Sequence, residues 1–390
     1  MSTAHVQVAV IGGGVVGCAV AHALARRGVQ ASILESEPGL ALGASGTNSG
    51  ILHTGFDSTA GELETRLILR SAVLREELLG ELGASVWHCG ARLMAGTEDE
   101  LATVRSLAEN ARENGVEARL EADGSLIVPG ESVTDPVAYV HALAGAAQAG
   151  GASIRLGTRV VGLGRTPTGA VALALGGGER LTAQAAVNCA GLFADEVARL
   201  AGEDLLSVYP RKGEFLVFRA PEREQLEQIL LPVPSALGKG VLVFPAVERL
   251  IVAGPTARER EDKRDWSVEA DARELIAPRA QRMYPPLANA ELVGAYAGLR
   301  PAGRDANYVI ESSTEIAGLI HVAAIRSTGL SASLGIGEYV AELLADAAGL
   351  QLGSVRPLPA PPPSSTSHEP WWLRAARHHD HSRPTTTPTP

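Results

Sequence analysis

Three glycines and one glutamate carry the first chemical signal in the chain. Gly12, Gly14 and Gly17 stand in a G-x-G-x-x-G spacing, and Glu35 lies 18 residues past the last of them. In such a spacing the first glycine permits a tight turn. The second lets backbone N–H groups approach a pyrophosphate, and the third lets a helix sit close to a strand. The N-terminus of that helix faces the phosphates, and an acid at the end of the next strand accepts from ribose hydroxyls. Glu35 favours a free 2′-hydroxyl over a 2′-phosphate, which disfavours NADP; FAD and NAD both stay open on these residues alone. The elements needed to position this unit are readable. They are a strand from Val6 to Ile11, a small-residue helix from about Val16 to Arg27 stopped by Gly28, and a strand from Ala31 to Leu34.

The 390 residues suffice for two domains or one two-lobed one, and 45% apolar residues suit a well-packed soluble enzyme. No apolar run approaches the roughly 20 residues of a membrane span, and no apolar leader precedes the first strand, so a cytoplasmic location is expected. A net charge of −10 argues against a nucleic-acid partner. Cys18, Cys89 and Cys189 are far apart, with no C-x-x-C, and give no support to a metal, iron–sulfur or disulfide reading.

Residues 36–63 form a long connection rich in Gly, Ser, Thr and Ala, with Asn48 and His53 as the sizeable polar side chains in its middle. Loops of that length in compact domains tend to be functional. Capped helices are expected over about 97–114 and 136–149, with Thr97 and Asp135 as N-caps. Residues 205–290 alternate or are β-branched, as in an antiparallel sheet. The pattern reads as a nucleotide-binding lobe (1–85, 136–204 and 291–353) interrupted twice by a mostly antiparallel substrate lobe (86–135 and 205–290). Residues 354–390 are a Pro/Ser/Thr-rich tail, expected to be disordered because it cannot bury enough to order itself. Within that tail Trp371 and Trp372 suggest a short helix that docks on the enzyme's own surface, or an anchor for a partner or membrane surface. His378, His379 and His381 receive no role.

Further motifs follow in order: T-N-S-G-I-L-H-T-G (Thr47 to Gly55), V-N-C-A-G-L-F-A-D (Val187 to Asp195), P-R-K-G-E (Pro210 to Glu214), F-P-A-V and V-A-G-P-T-A (within Phe244 to Ala257), Y-A-G-L-R-P (Tyr296 to Pro301) and R-S-T-G-L-S-A (Arg326 to Ala332). With the dinucleotide unit, they make the chain resemble the D-amino-acid-oxidase-like superfamily of FAD-dependent oxidoreductases over about residues 5–350. It looks most like the branch of glycerol-3-phosphate and L-2-hydroxyglutarate dehydrogenases. P-R-K-G-E and V-A-G-P-T-A resemble the glycerol-3-phosphate side. The resemblance implies an α/β fold with a Rossmann-type, glutathione-reductase-like FAD lobe and an antiparallel substrate lobe. Some such dehydrogenases add a Cys-rich iron–sulfur domain, whereas this chain has no Cys after Cys189. It would be a short form, with its electron acceptor (oxygen, quinone or a redox protein) left open.

The reaction implied is oxidation of a small anionic secondary alcohol, with hydride passing to flavin N5 and the hydroxyl proton to a base. His53 is the candidate base, in a loop that lies beside the flavin in the relatives; the other reading is a histidine that fastens the loop. Arg300 is the candidate anion clamp, or else a structural ion pair. Lys212 and Arg211 either bind substrate or are surface charge, and Arg326, next to the flavin-facing turn in the family pattern, is a candidate to bind the substrate anion or stabilise reduced flavin. By the same resemblance Gly12, Gly14, Gly17 and Glu35 take the ADP half of FAD, and Val160 offers backbone to adenine. Ala44, Ser45, Thr47, Asn48 and Ser49 run along the diphosphate and flavin. Ala190 and Gly191 pass near the pyrophosphate, and Thr328, Gly329 and Leu330 approach the isoalloxazine. Two alternatives stand: an amine or D-amino-acid oxidase of the same fold, and a flavin-bearing subunit whose tryptophan pair docks a partner.

Overall fold

A parallel sheet supplies the floor of the molecule. In the computed structural model, which describes residues 4–234, 240–246, 249–359 and 370–381, the strand Ala4–Ile11 pairs in parallel with Ala31–Leu34 on one side and Arg180–Asn188 on the other. Ser153–Arg155 and Leu319–Ala323 extend the sheet outward, also in parallel. The carboxyl ends of these strands share one edge, where ligands bind in open α/β sheets. A hairpin, Val160–Arg165 and Val171–Leu175, pairs antiparallel with Arg180–Asn188, and Val309–Ser312 pairs antiparallel with Leu319–Ala323.

Side chains alternate across a strand. Val8 and Val10 therefore fall in a core shared with the helices Val15–Arg26, Leu63–Leu82, Pro136–Ala149 and Gly329–Ala348. Ala9 and Ile11 fall in a second core, with the hairpin and the helix Ala194–Leu200. Both faces are covered, so the strand reads as a continuous apolar run rather than an alternating one. Each fully buried Val, Leu or Ile contributes about 1.5–3 kcal/mol. The expected caps are in place: Thr97 Oγ1 accepts from Glu100 N at 3.2 Å, and Asp135 Oδ1 accepts from Val137 N and Ala138 N at 2.8 and 2.9 Å.

The second sheet is mostly antiparallel. Its spine is Val208–Arg219, paired along its length with Glu291–Gly303. Ile251–Gly254, Leu242–Pro245, Ile229–Leu231, Ala91–Leu93, Leu126–Val128 and Arg119–Leu120 follow outward. One boundary differs from the expected one: residues 291–303 hydrogen-bond into the substrate sheet and not into the nucleotide lobe. Their apolar run looked like a buried parallel strand, and their partner lies about 80 residues upstream, beyond local pattern. A third, small sheet joins Ile51–Leu52 to Ser132–Thr134 and Val86–Trp87.

Within the tail, the expected short helix docks on the enzyme's own surface. Trp371–His381 is a helix, with Trp371 and Trp372 buried against the body of the enzyme. Two apolar indoles outweigh the polar composition around them. The Pro/Ser/Thr-rich stretches at 360–369 and 382–390 lie outside the described residues. No helix among the described residues is long and apolar enough to cross a membrane.

Candidate active site

Two cavities, of 990 and 760 Å³, adjoin at Ala44, Asn48 and Arg326, which line both. Volumes of about 300–1,000 Å³ are usual for ligand sites.

The larger lies over the carboxyl edge of the parallel sheet. Gly12 has φ +114°, and a Cβ there would stand 2.4 Å from the Cys189 carbonyl oxygen. A Cβ on Gly17 would stand 2.0 Å from the Gly12 carbonyl oxygen, so this residue sets the approach of the helix to the strand without itself lining the cavity. Gly14 caps Val15–Arg26, and Val15 N donates to Ser45 Oγ at 2.9 Å. Glu35 lines the wall, its Oε2 accepting from Gly13 N at 2.6 Å and its Oε1 from Glu37 N at 2.8 Å. Val160, Ala190 and Gly191 line the same space, and Gly329 and Leu330 bring a second helix N-terminus to it. Bare glycine backbone, two helix N-termini and a fixed carboxylate fit a dinucleotide. Thr47, Ser49 and Thr328, expected beside the cofactor, line the adjoining cavity instead.

The smaller cavity holds His53. Its place follows from sheet register. Ile51 pairs with Val133 and Leu52 with Ser132, so the next residues along, His53 and Glu131, face one another. His53 Nδ1 lies 2.8 Å from Glu131 Oε2. Glu131 is wholly buried, and its other oxygen accepts from Thr54 N at 2.7 Å and Thr54 Oγ1 at 2.8 Å. A carboxylate that accepts throughout makes Nδ1 the protonated nitrogen, and in the neutral imidazole Nε2 then carries the lone pair. The imidazole is 20% exposed, and Nε2 has no partner among the described residues. The backbone beneath is fixed as well. His53 N donates to Ser331 Oγ at 2.8 Å, and the buried Arg75 donates to the carbonyls of His53 at 2.9 Å and Ser331 at 2.7 Å.

Arg300 and Arg211 are directly opposed on adjacent strands, so their side chains share a face. Arg300 donates to the carbonyls of Arg211 (2.9 Å), Lys212 (3.2 Å) and Thr256 (3.1 Å). Its Nη1 has no partner among the described residues, nor has the Arg211 guanidinium, and both residues line the cavity. Burial, and then the Arg211 charge, push the Arg300 pKa down to about 10. Like charges directly opposed are destabilising, so an anion between them would relieve the strain. Arg258 also lines the cavity, but it is held by Glu214, Glu269 and Asp271.

Lys212 does not belong to the site. One residue along from Arg211, it points to the other face of the strand. It is fully buried, with Nζ 3.0 Å from Asp265 Oδ2 and 3.2 Å from Ser267 Oγ. Arg326 lines both cavities, with Nη2 bonded to Glu64 Oε2 at 2.9 Å. Burial pushes the Glu64 carboxyl up, but hydrogen bonds from Thr328 and Asn307 and the Arg326 charge outweigh it and hold it below the usual range. Glu64, Arg75 and Glu131 were not found by sequence reasoning. Nothing in the sequence around each of them sets it apart, because its partners come from distant stretches.

The family model for FAD dependent oxidoreductases matches residues 7–343. Glycerol 3-phosphate dehydrogenase of Caloramator mitchellensis is 29% identical, over 87% of this chain and 73% of its own length. An L-2-hydroxyglutarate dehydrogenase of Escherichia coli O17:K52:H18 (strain UMN026 / ExPEC) is 30% identical, over 68% of both chains. The structure of dithionite-reduced L-alpha-glycerophosphate oxidase from Mycoplasma pneumoniae with FAD bound matches with a TM-score of 0.83 at 24% identity, covering 93% of this chain and 97% of that one. With a dinucleotide cradle that FAD fits and a family model spanning most of its length, the chain belongs to the FAD dependent oxidoreductase (DAO) family, and its cofactor is FAD.

Proposed function

We propose that the protein oxidises glycerol 3-phosphate at its secondary alcohol. The observation that carries this reading is the cross-strand pair Arg211 and Arg300, opposed in the cavity that also holds the His53–Glu131 pair. A phosphate dianion matches two guanidiniums better than a single carboxylate does. The similarity to a glycerol 3-phosphate dehydrogenase over most of the chain supports it.

Bound FAD supplies the hydride acceptor. The chain's own residues do the rest. Arg211 and Arg300 hold the phosphate, which fixes the alcohol carbon relative to the junction of the two cavities. His53 Nε2 takes the hydroxyl proton, and Glu131 holds the imidazole in the tautomer that can take it. Arg75 and Ser331 keep the His53 backbone from drifting. Arg326, tied to Glu64, brings positive charge to the junction of the two cavities, where it would favour negative charge on a bound flavin.

The test is anaerobic mixing of the holoenzyme with glycerol 3-phosphate, L-2-hydroxyglutarate and glycine in separate experiments, following the visible flavin absorbance. Rapid bleaching by glycerol 3-phosphate alone is expected. Bleaching by L-2-hydroxyglutarate or glycine in its place would refute the substrate.

A further inference from the structure

We propose that the C-terminal helix Trp371–His381 is a cofactor clasp. It forms an outer wall of the FAD cavity, and its anchorage sets how fast FAD leaves. The proposal rests on FAD occupying that cavity but goes beyond the catalytic reading.

One end of the helix is anchored on the substrate sheet. Trp371 is 1% exposed and meets Tyr296 edge-on, with ring centroids 5.1 Å apart; Tyr296 in turn stacks on Phe215 at 4.8 Å. Trp372 sits in a seat that only a glycine leaves open, since a Cβ on Gly294 would stand 2.5 Å from its six-membered ring. These rings are a large apolar payload with defined geometry, enough to hold a short helix that would not be stable alone.

The other end reaches the cofactor. His378 and His379 both line the cavity that holds Gly12, Gly14 and Glu35. The His379 ring lies parallel on Trp266, with centroids 4.0 Å apart and planes 4° apart. His378 Nε2 is 3.2 Å from Glu37 Oε2, two residues past the glutamate assigned to the ribose. Trp266 belongs to a loop that carries Lys263 and Arg264 over the Phe193 ring, beside the Ala190–Gly191 turn. A single helix thus ties together the substrate sheet, the 262–266 loop and the loop after Glu35, and these surround the cavity. FAD leaving past this wall must break at least one of those contacts.

The experiment uses the full-length holoenzyme. It is diluted into FAD-free buffer, and cofactor release is followed by the rise in flavin fluorescence. Trp371→Ala removes the anchor. Gly294→Val dislodges Trp372 from the opposite side without touching the cavity, and His379→Ala removes the stack on Trp266. Release roughly tenfold faster is expected for each variant, with far-UV circular dichroism unchanged. Should Trp371→Ala fail to fold, the other two still decide the matter. Release at the wild-type rate in both Gly294→Val and His379→Ala would overturn the clasp and leave the active-site reading intact. A wild-type protein that takes up no FAD would overturn the cofactor assignment and the clasp together.

Discussion

The two adjoining cavities are built from different materials. In the cofactor cavity the working groups are mostly backbone, N–H groups at two helix N-termini and bare glycines, joined by one side-chain carboxylate that is itself fixed by the Gly13 N–H. In the cavity proposed for the substrate they are side chains: His53, Arg211, Arg300 and Arg326 come from four separated stretches, and all but Arg211 are held by hydrogen-bond partners. A backbone-built site is intolerant of one extra carbon at a few positions and indifferent to most side chains. A site built from side chains has the opposite sensitivity: its fold survives substitution and its chemistry does not.

The largest expected effect is on the backbone side. Gly17→Ala places a Cβ 2.0 Å from the Gly12 carbonyl oxygen, so the purified variant should carry no flavin, read as the ratio of visible to ultraviolet absorbance. A variant that retains stoichiometric flavin would remove the basis of the contrast. On the other side, Arg300→Lys loses the fork that bonds three carbonyls and faces the cavity. The KM for glycerol 3-phosphate should rise about ten- to hundredfold, the range for lost charged hydrogen bonds, with flavin content unchanged. Glu131→Gln is expected to act through the imidazole it holds, lowering kcat about tenfold and leaving KM near wild type. A change in KM alone would move Glu131 out of that role.

The smallest effect concerns the lysine that faces away from the site. Burial pushes the Asp265 carboxyl up, but hydrogen bonds from Ser267 and Lys212 outweigh it and hold it at about 2. A carboxyl depressed in the folded state adds stability above its ordinary value of 3.8 and loses it as pH falls towards 2. Asp265→Asn should therefore be less stable than wild type at neutral pH by about 1–3 kcal/mol. The gap should close over that acid window in urea melts taken at successive pH values. Turnover with saturating FAD should persist in this variant, because Lys212 serves the 262–267 loop and not the substrate.

The same difference in material explains what could be read from sequence. Gly12, Gly14, Gly17 and Glu35 are local in the chain, and their spacing alone implies strand, turn, helix and acid. The caps at Thr97 and Asp135 are equally local. His53 and Arg300 were singled out through resemblance, but what makes each of them useful was not legible. Glu131 meets His53 only because Ile51–Leu52 pairs with Ser132–Thr134, a register between stretches about 80 residues apart. Strand parity separates Arg211 from Lys212, and the pairing with Arg300 shows which of the two faces the cavity. Trp371 and Trp372 mark a docking helix within the tail, but where it docks was not legible, because its seat, Gly294 and Tyr296, lies in another lobe.

The most direct test of the account is anaerobic single-turnover reduction of wild type and His53→Ala, both purified with FAD bound, over a range of glycerol 3-phosphate concentrations. The account predicts flavin reduction slowed about 10²–10⁴-fold at saturation, with the half-saturating concentration little changed, because the base is lost and the arginine pair is not. Reduction of His53→Ala at the wild-type rate would contradict it, and would leave His53 and Glu131 as a fastening of the loop.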